Sequence, residues 1–290
     1  MDAKGPLRAL DRFQRRHAAL AVPVAVARKY GEDSGGSLAA LIAYRAFFSI
    51  FPLLLLLTTV LGYVLAGDPE LREDAVDSTL AQFPVLGEQL QGRSLRGSGV
   101  ALAVGVAGAL WAGFGVVLAT EEALDRIWAV PGRARAGFVD SRLRALGLLA
   151  LLGGAVLAST AISGLAAGGA GWLGTAAGVA VSLALNLVLF GAAYHLLVSA
   201  PLPLRASLPG AALAAAGWTA LQLAGGWLVA HQIRDAAPVY GTFALVIGLL
   251  AWIQLGAMLA VFAAELNAVR ERRLWPRPLP GAPVEGVREA

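Results

Sequence analysis

The sequence predicts an all-α polytopic membrane protein: six transmembrane helices with both termini in the cytoplasm, and amphipathic helices at the interface. Three observations carry this. First, 58% of the 290 residues are hydrophobic and 14% charged, where a soluble domain carries about 25% charged residues. Second, the apolar residues collect in six runs, at about 38–66, 98–120, 145–167, 172–199, 207–230 and 241–264. Third, 18 of the 23 Lys and Arg fall on one side of these runs and 4 on the other, with Arg45 inside a run. By the positive-inside rule the rich side is cytoplasmic, and six is the even number of spans that fits.

Residues 1–37 form a basic cytoplasmic segment carrying Lys4, Arg8, Arg12, Arg15, Arg16, Arg28 and Lys29. Leu7, Leu10, Phe13 and Leu20 recur at roughly helical spacing, which fits a helix lying among headgroups or packed on the protein's own cytoplasmic face. Pro23 is expected to break or kink it, and Ser37 is expected to cap the first span. This start is not read as a cleavable signal peptide, because its first apolar run is too long for a signal h-region.

Leu38–Ala66 organises the rest. As a helix it would be roughly 43 Å long, more than the ~30 Å hydrocarbon core. Residues 67–97 hold six acidic and three basic side chains. Asp68-Pro69 reads as N-cap and first helical position, giving a short amphipathic helix on the far side of the membrane. The second span continues into a cytoplasmic helix through Trp128 and stops before Pro131-Gly132. A Gly-rich turn, Gly168 to Gly171, joins spans three and four, and a short loop with Pro201, Pro203 and Arg205 precedes span five. Gly164-x-x-x-Gly168 and Gly174-x-x-x-Gly178 read as close-packing notches. The membrane domain is taken as 38–270, and 271–290 as a Pro-rich cytoplasmic tail.

Polar side chains inside a bilayer are expensive and call for an account. Arg45 lies about 10 Å inside the cytoplasmic start of span one. Asn186 and Gln254 fall at a similar depth in spans four and six, His195 lies nearer the cytoplasm, and Glu265 closes span six. Gln222 stands higher, in span five. Pro52 bends span one and frees a backbone carbonyl. On one reading Arg45 snorkels to phosphates or pairs with Glu265, while Asn186 and Gln254 tie helices together. On the other, Arg45 offers positive charge to an anionic group in a polar cleft. Both stay open at this point.

The chain has no cysteine, which removes disulfides, thiolate zinc sites and thiol catalysis. Its three histidines, His17, His195 and His231, are scattered. No HExxH, G-x-S-x-G or Walker loop is present, so neither a hydrolase nor a primary pump is expected. Glu121-Glu122 reads as a solvated helix end. The net charge of +4 comes from 21 Arg and 2 Lys against 19 acids, and cytoplasmic loops account for it without nucleic acid. The Ala-, Arg- and Gly-rich usage points to a GC-rich bacterial genome.

Several stretches together resemble the YihY / virulence factor BrkB family, once labelled ribonuclease BN. They are Ala43-Tyr44 with Phe48-Ser49-Ile50-Phe51-Pro52-Leu53-Leu54, Leu124-Asp125-Arg126-Ile127-Trp128, Tyr240-Gly241-Thr242-Phe243, and Ala264-Glu265-Leu266-Asn267-Ala268. With the six-span layout the resemblance covers about residues 25–273. It implies an integral protein of the bacterial cytoplasmic membrane, and some relatives are associated with lipid or lipopolysaccharide movement. Arg45 departs from the family, where many members carry an uncharged residue such as tyrosine.

The expectation is a non-enzymatic transporter or flippase of an amphiphilic, anionic, lipid-like substrate, with Arg45, Pro52, Asn186, Gln254 and Glu265 near its path. Its partners would be anionic membrane lipids, with no nucleic acid, metal or cofactor; a homo-oligomer is compatible. The alternative is a non-transporting scaffold whose basic cytoplasmic segments recruit partners or anionic lipid.

Overall fold

The computed structural model describes residues 13–14, 17–64, 99–166, 171–232 and 241–277. Among these, every regular element is helical. There are seven α-helices: α1 (Ala18–Glu32), α2 (Gly35–Val64), α3 (Gly99–Ile127), α4 (Phe138–Ala166), α5 (Gly171–Leu196), α6 (Leu204–Gln232) and α7 (Gly241–Glu271). A single 3-10 turn, Gly132–Ala134, stands between α3 and α4.

Among the described residues, four stretches are long and apolar enough to cross a membrane: Gly35–Leu56, Leu102–Ile127, Ala176–Leu196 and Val246–Glu271. The sequence predicts six. α4 and α6 have 29 residues each, about 44 Å of rise, but fall outside the four. α4 opens on Asp140, Arg142 and Arg144, and α6 is built largely of Ala and Gly, which carry less apolar surface than Leu or Val. The amphipathic helix expected after Asp68 lies outside the described residues.

Within the four spans only 6% to 22% of each most apolar window is buried. Trp111, Val100 and Ile247 are among the exposed side chains. A soluble protein could not present such a surface to water. A membrane protein can, because lipid tails are as apolar as leucine.

Contacts divide the chain into two compact units, one of residues 1–42, 117–234 and 254–290, the other of 43–116 and 235–253. In the second, glycines of α3 face α2. A Cβ added at Gly108 would stand 3.0 Å from Pro52 Cβ, and one at Gly105 would stand 3.2 Å from Leu56 Cα. The helices therefore approach through notches at 105 and 108. At Gly178, expected to pack closely, an added Cβ would meet nothing within 4 Å.

The first unit is held by buried alanines and polar side chains at the ends of its helices. α1 continues through Pro23 to Glu32, so Pro23 does not break the helix. Lacking an N–H, it removes one backbone hydrogen bond from the ladder. α1 packs on the protein: Ala25 and Val26 are buried with Val269, against Val22, Phe262, Leu266, Leu274 and Trp275. The turn into α2 uses Ser34 in the left-handed region, φ 57°. Its carbonyl accepts from Ser37 N–H at 2.8 Å, so α2 starts at Gly35 and not after Ser37. Gly35 is required because a Cβ there would collide with the Tyr30 ring.

α6 meets α7 where Pro209 interrupts the backbone ladder. The buried Asn267 side chain bridges the gap, accepting from Gly210 N–H at 2.6 Å and donating to Ser207 C=O at 3.2 Å. A Cβ at Gly210 would strike the Ala263 carbonyl and the Asn267 side chain. Gly210→Ala is expected to lower stability by about 1–3 kcal/mol through overpacking. Thermal unfolding in detergent checks this; an unchanged midpoint would contradict the packing described.

Candidate functional site

At the C-terminal end of α7 the buried polar residues are too numerous to be incidental. Glu265 is fully buried, and Asn267, Asp125 and Lys29 are nearly so. Lys29, on the last turn of α1, is the centre. Its Nζ donates to the Ile127 carbonyl at 2.8 Å and to Asp33, one turn on, and lies 2.9 Å from Glu265 Oε2. Two hydrogen-bond acceptors and one counter-charge thus surround the ammonium. Among the described residues neither Glu265 oxygen has a hydrogen-bond partner. It is an ion pair held by charge.

Lysine is rare here, with 2 against 21 Arg. A compact ammonium fits an enclosed space between three helix ends. The longer planar guanidinium would need room for its fork. The pair joins α1, the end of α3 and α7. The Tyr30 hydroxyl is also buried without a hydrogen-bond partner among the described residues, and that burial, seconded by the Glu265 charge, raises its pKa above the ordinary value.

The neighbouring acids are also engaged. Asp125 accepts from Ser199 N–H and Oγ–H, each at 2.8 Å, tying α3 to the loop after α5. Ser199 Oγ in turn accepts from Ala136 N–H at 3.0 Å. Glu121, expected on a solvated face, is buried and accepts from Ser141 Oγ–H at 2.8 Å, whereas Glu122 is exposed. The sequence pattern misled because Glu121 lies on the face turned to α4. Tyr194 donates to the Ala260 carbonyl at 2.7 Å, joining α5 to α7. Arg272 donates to the Trp128 carbonyl and stacks 5.5 Å from its ring. Lys29, Asp125, Tyr194 and Asn267 were not singled out from sequence as site residues. The motifs Leu124–Trp128 and Ala264–Ala268 contain Asp125 and Asn267 and are the signal for those two; Lys29 and Tyr194 lie in neither motif.

A smaller polar cluster lies within α5 and α6. Asn186 Nδ2 stands 3.2 Å from Thr219 Oγ1, 3.5 Å from Gln222 Oε1 and 3.5 Å from Ser182 Oγ. Asn186 is half-buried and Gln222 exposed, so the cluster reaches the surface of the helix pair. Gln254 is half-buried on α7. The His195 Nδ1 is buried without a hydrogen-bond partner among the described residues.

Arg45 and Pro52 belong to the other unit. Arg45 is exposed on α2, inside a candidate span, and its side chain lies along Gly115 of α3: a Cβ there would be 3.5 Å from Nη1 and 3.9 Å from Cδ. Among the described residues no acidic group pairs with it. The partner of Glu265 is Lys29, and this replaces the Arg45 pairing considered from sequence. Among the described residues no three His, Cys, Asp or Glu side chains gather where they could hold a metal.

Residues 26–284 match the family model described as Virulence factor BrkB. A Bacillus subtilis (strain 168) protein named as ribonuclease-like YfkH is 24% identical over 259 residues, covering 84% of this chain and 93% of its own length. No solved structure matches.

Removing the ammonium tests the centre. Lys29→Met leaves the Glu265 charge buried and unpaired, an expected loss of about 3–5 kcal/mol. Adding Glu265→Gln to it should recover most of that loss. Unfolding of the single and double variants in detergent checks both; additive losses would contradict the pairing.

Proposed function

The chain belongs to the virulence factor BrkB family, and on that footing we propose that it is a bacterial cytoplasmic-membrane transporter or flippase. Its substrate is amphiphilic, anionic and lipid-like, and moves without direct ATP hydrolysis through a six-span, N-in/C-in domain. One observation supports this most. Arg45 keeps a guanidinium exposed within an apolar span, with no acidic partner among the described residues. A charged side chain inside a membrane helix is costly, about 2.5–3.5 kcal/mol at the helix centre and less toward its ends. An anion from outside the protein, such as a phosphate headgroup, offsets that cost. The Asn186–Thr219–Gln222 cluster gives a passing headgroup hydrogen-bonding partners in an otherwise apolar zone. Pro52, Gln254 and Glu265 complete the proposed path residues, Glu265 as the carboxylate paired with Lys29.

A second reading, the non-transporting scaffold, has its own observation. Arg133 and Arg135 are exposed, and Arg142 stacks 4.0 Å from the exposed Phe138 ring at the start of α4. That is a basic, aromatic surface suited to recruitment. The ribonuclease-like name of the relative is not carried over: Glu121, Asp125 and Glu265 are engaged with Ser141, Ser199 and Lys29.

Scrambling of a fluorescent anionic phospholipid in proteoliposomes separates these readings. Wild type should accelerate flipping, and Arg45→Ala should lower the rate at least roughly tenfold, the loss of one desolvated charge contact. Flipping unaffected by Arg45→Ala would reduce that residue to a snorkelling cation. Flipping absent with every lipid would favour the scaffold.

A further inference from the structure

Four arginines close the described part of the chain, Arg270, Arg272, Arg273 and Arg277. Two have structural partners. Arg272 holds the Trp128 carbonyl, and Arg277 pairs with Glu32 while its own carbonyl accepts from Gln14 Nε2 at 2.8 Å. The other two, Arg270 and Arg273, are exposed and form no ion pair among the described residues. Both line one open cavity of about 500 Å³, together with Ala19, Val22, Pro23, Leu266 and Trp275.

The composition of that lining is selective. Two permanent positive charges stand at the cavity, and among the described residues no acidic side chain lines it and the remaining wall is apolar. One side is α1. The other is the end of α7, whose candidate span runs to Glu271, so the cavity sits where a membrane helix gives way to a basic segment. Trp275 adds the amphipathic ring favoured at headgroup level. The wall is also fixed: Leu266 and Trp275 pack on the buried Ala25–Val26–Val269 cluster.

We propose that this cavity between α1 and the end of α7 is a binding site for the headgroup of an anionic phospholipid of the adjoining leaflet. Arg270 and Arg273 take the phosphate, and Val22, Pro23 and Leu266 take the glycerol and upper acyl carbons. Arginine clusters just cytoplasmic of a membrane helix recognise anionic headgroups in this way. The site is separate from the transport reading and stands whether or not Arg45 moves a substrate.

Native mass spectrometry of the purified full-length protein in detergent tests it, with phosphatidylglycerol and phosphatidylcholine as probes. The variant is Arg270→Gln with Arg273→Asn, since asparagine tolerates the positive φ of 52° at residue 273. Wild type should retain phosphatidylglycerol in preference to phosphatidylcholine, and the double variant should bind it roughly tenfold more weakly. Arg205→Gln, which removes an exposed cation elsewhere, should leave binding unchanged. Equal binding by wild type and the double variant overturns the site, as does an equal loss in Arg205→Gln. Complete displacement by millimolar inorganic phosphate would overturn the lipid as occupant, because a free phosphate would then suffice. Circular dichroism of each variant must match wild type; a double variant that misfolds is replaced by Arg270→Gln alone, for which a partial loss supports the site and no loss overturns it.

Discussion

The contact between Lys29 and Glu265 is the constraint on which the first unit depends. A fully buried carboxylate cannot remain charged in a protein interior without a counterion. Lys29 supplies it, and its other protons go to Asp33 and the Ile127 carbonyl. One ammonium therefore fixes α1, the end of α3 and α7 together. Replacing the pair by well-packed apolar residues need not lower stability. Its value lies in register: only one rotation of α1 presents Lys29 to Glu265.

Around it the unit follows one design. Each helix end near α7 is joined to a neighbour by a buried side chain, Asp125 to Ser199, Glu121 to Ser141, Asn267 to Gly210 and Tyr194 to Ala260. Hydrophobic burial cannot do this work for the spans, because between helices in lipid the driving force is packing and hydrogen bonding. Polar mortar at one end leaves the spans free to present apolar surface. Against this background Arg45 stands apart, a charge with an exposed surface and a glycine behind it.

Much of this was legible in the sequence, and the limits have physical causes. The all-helical membrane class follows from composition and run length. The continuation of α3 to Ile127 followed from the pattern up to Pro131. Four of the six expected spans stand out among the described residues; α6 is less distinct because Ala and Gly carry little apolar surface per residue. Pro23 does not break α1, because a single proline removes one bond of the ladder and the rest of the helix packs on the protein. Glu121 and Lys29 were hidden for a different reason: burial of a charge is decided by its partner, and Glu265 lies more than 200 residues from Lys29. The motif Ala264–Ala268 pointed to the right place without giving its chemistry.

The chain carries an exposed charge at residue 45 and a closed ionic interior at the end of α7. The absence of cysteine makes this contrast directly measurable, since any introduced thiol is the sole thiol in the chain. Arg45→Cys and Ala264→Cys, each in proteoliposomes, are treated with a charged, membrane-impermeant thiosulfonate. The account predicts rapid labelling at 45 and none at 264, which is 1% exposed. A silent residue 45, or a reactive residue 264, would contradict it.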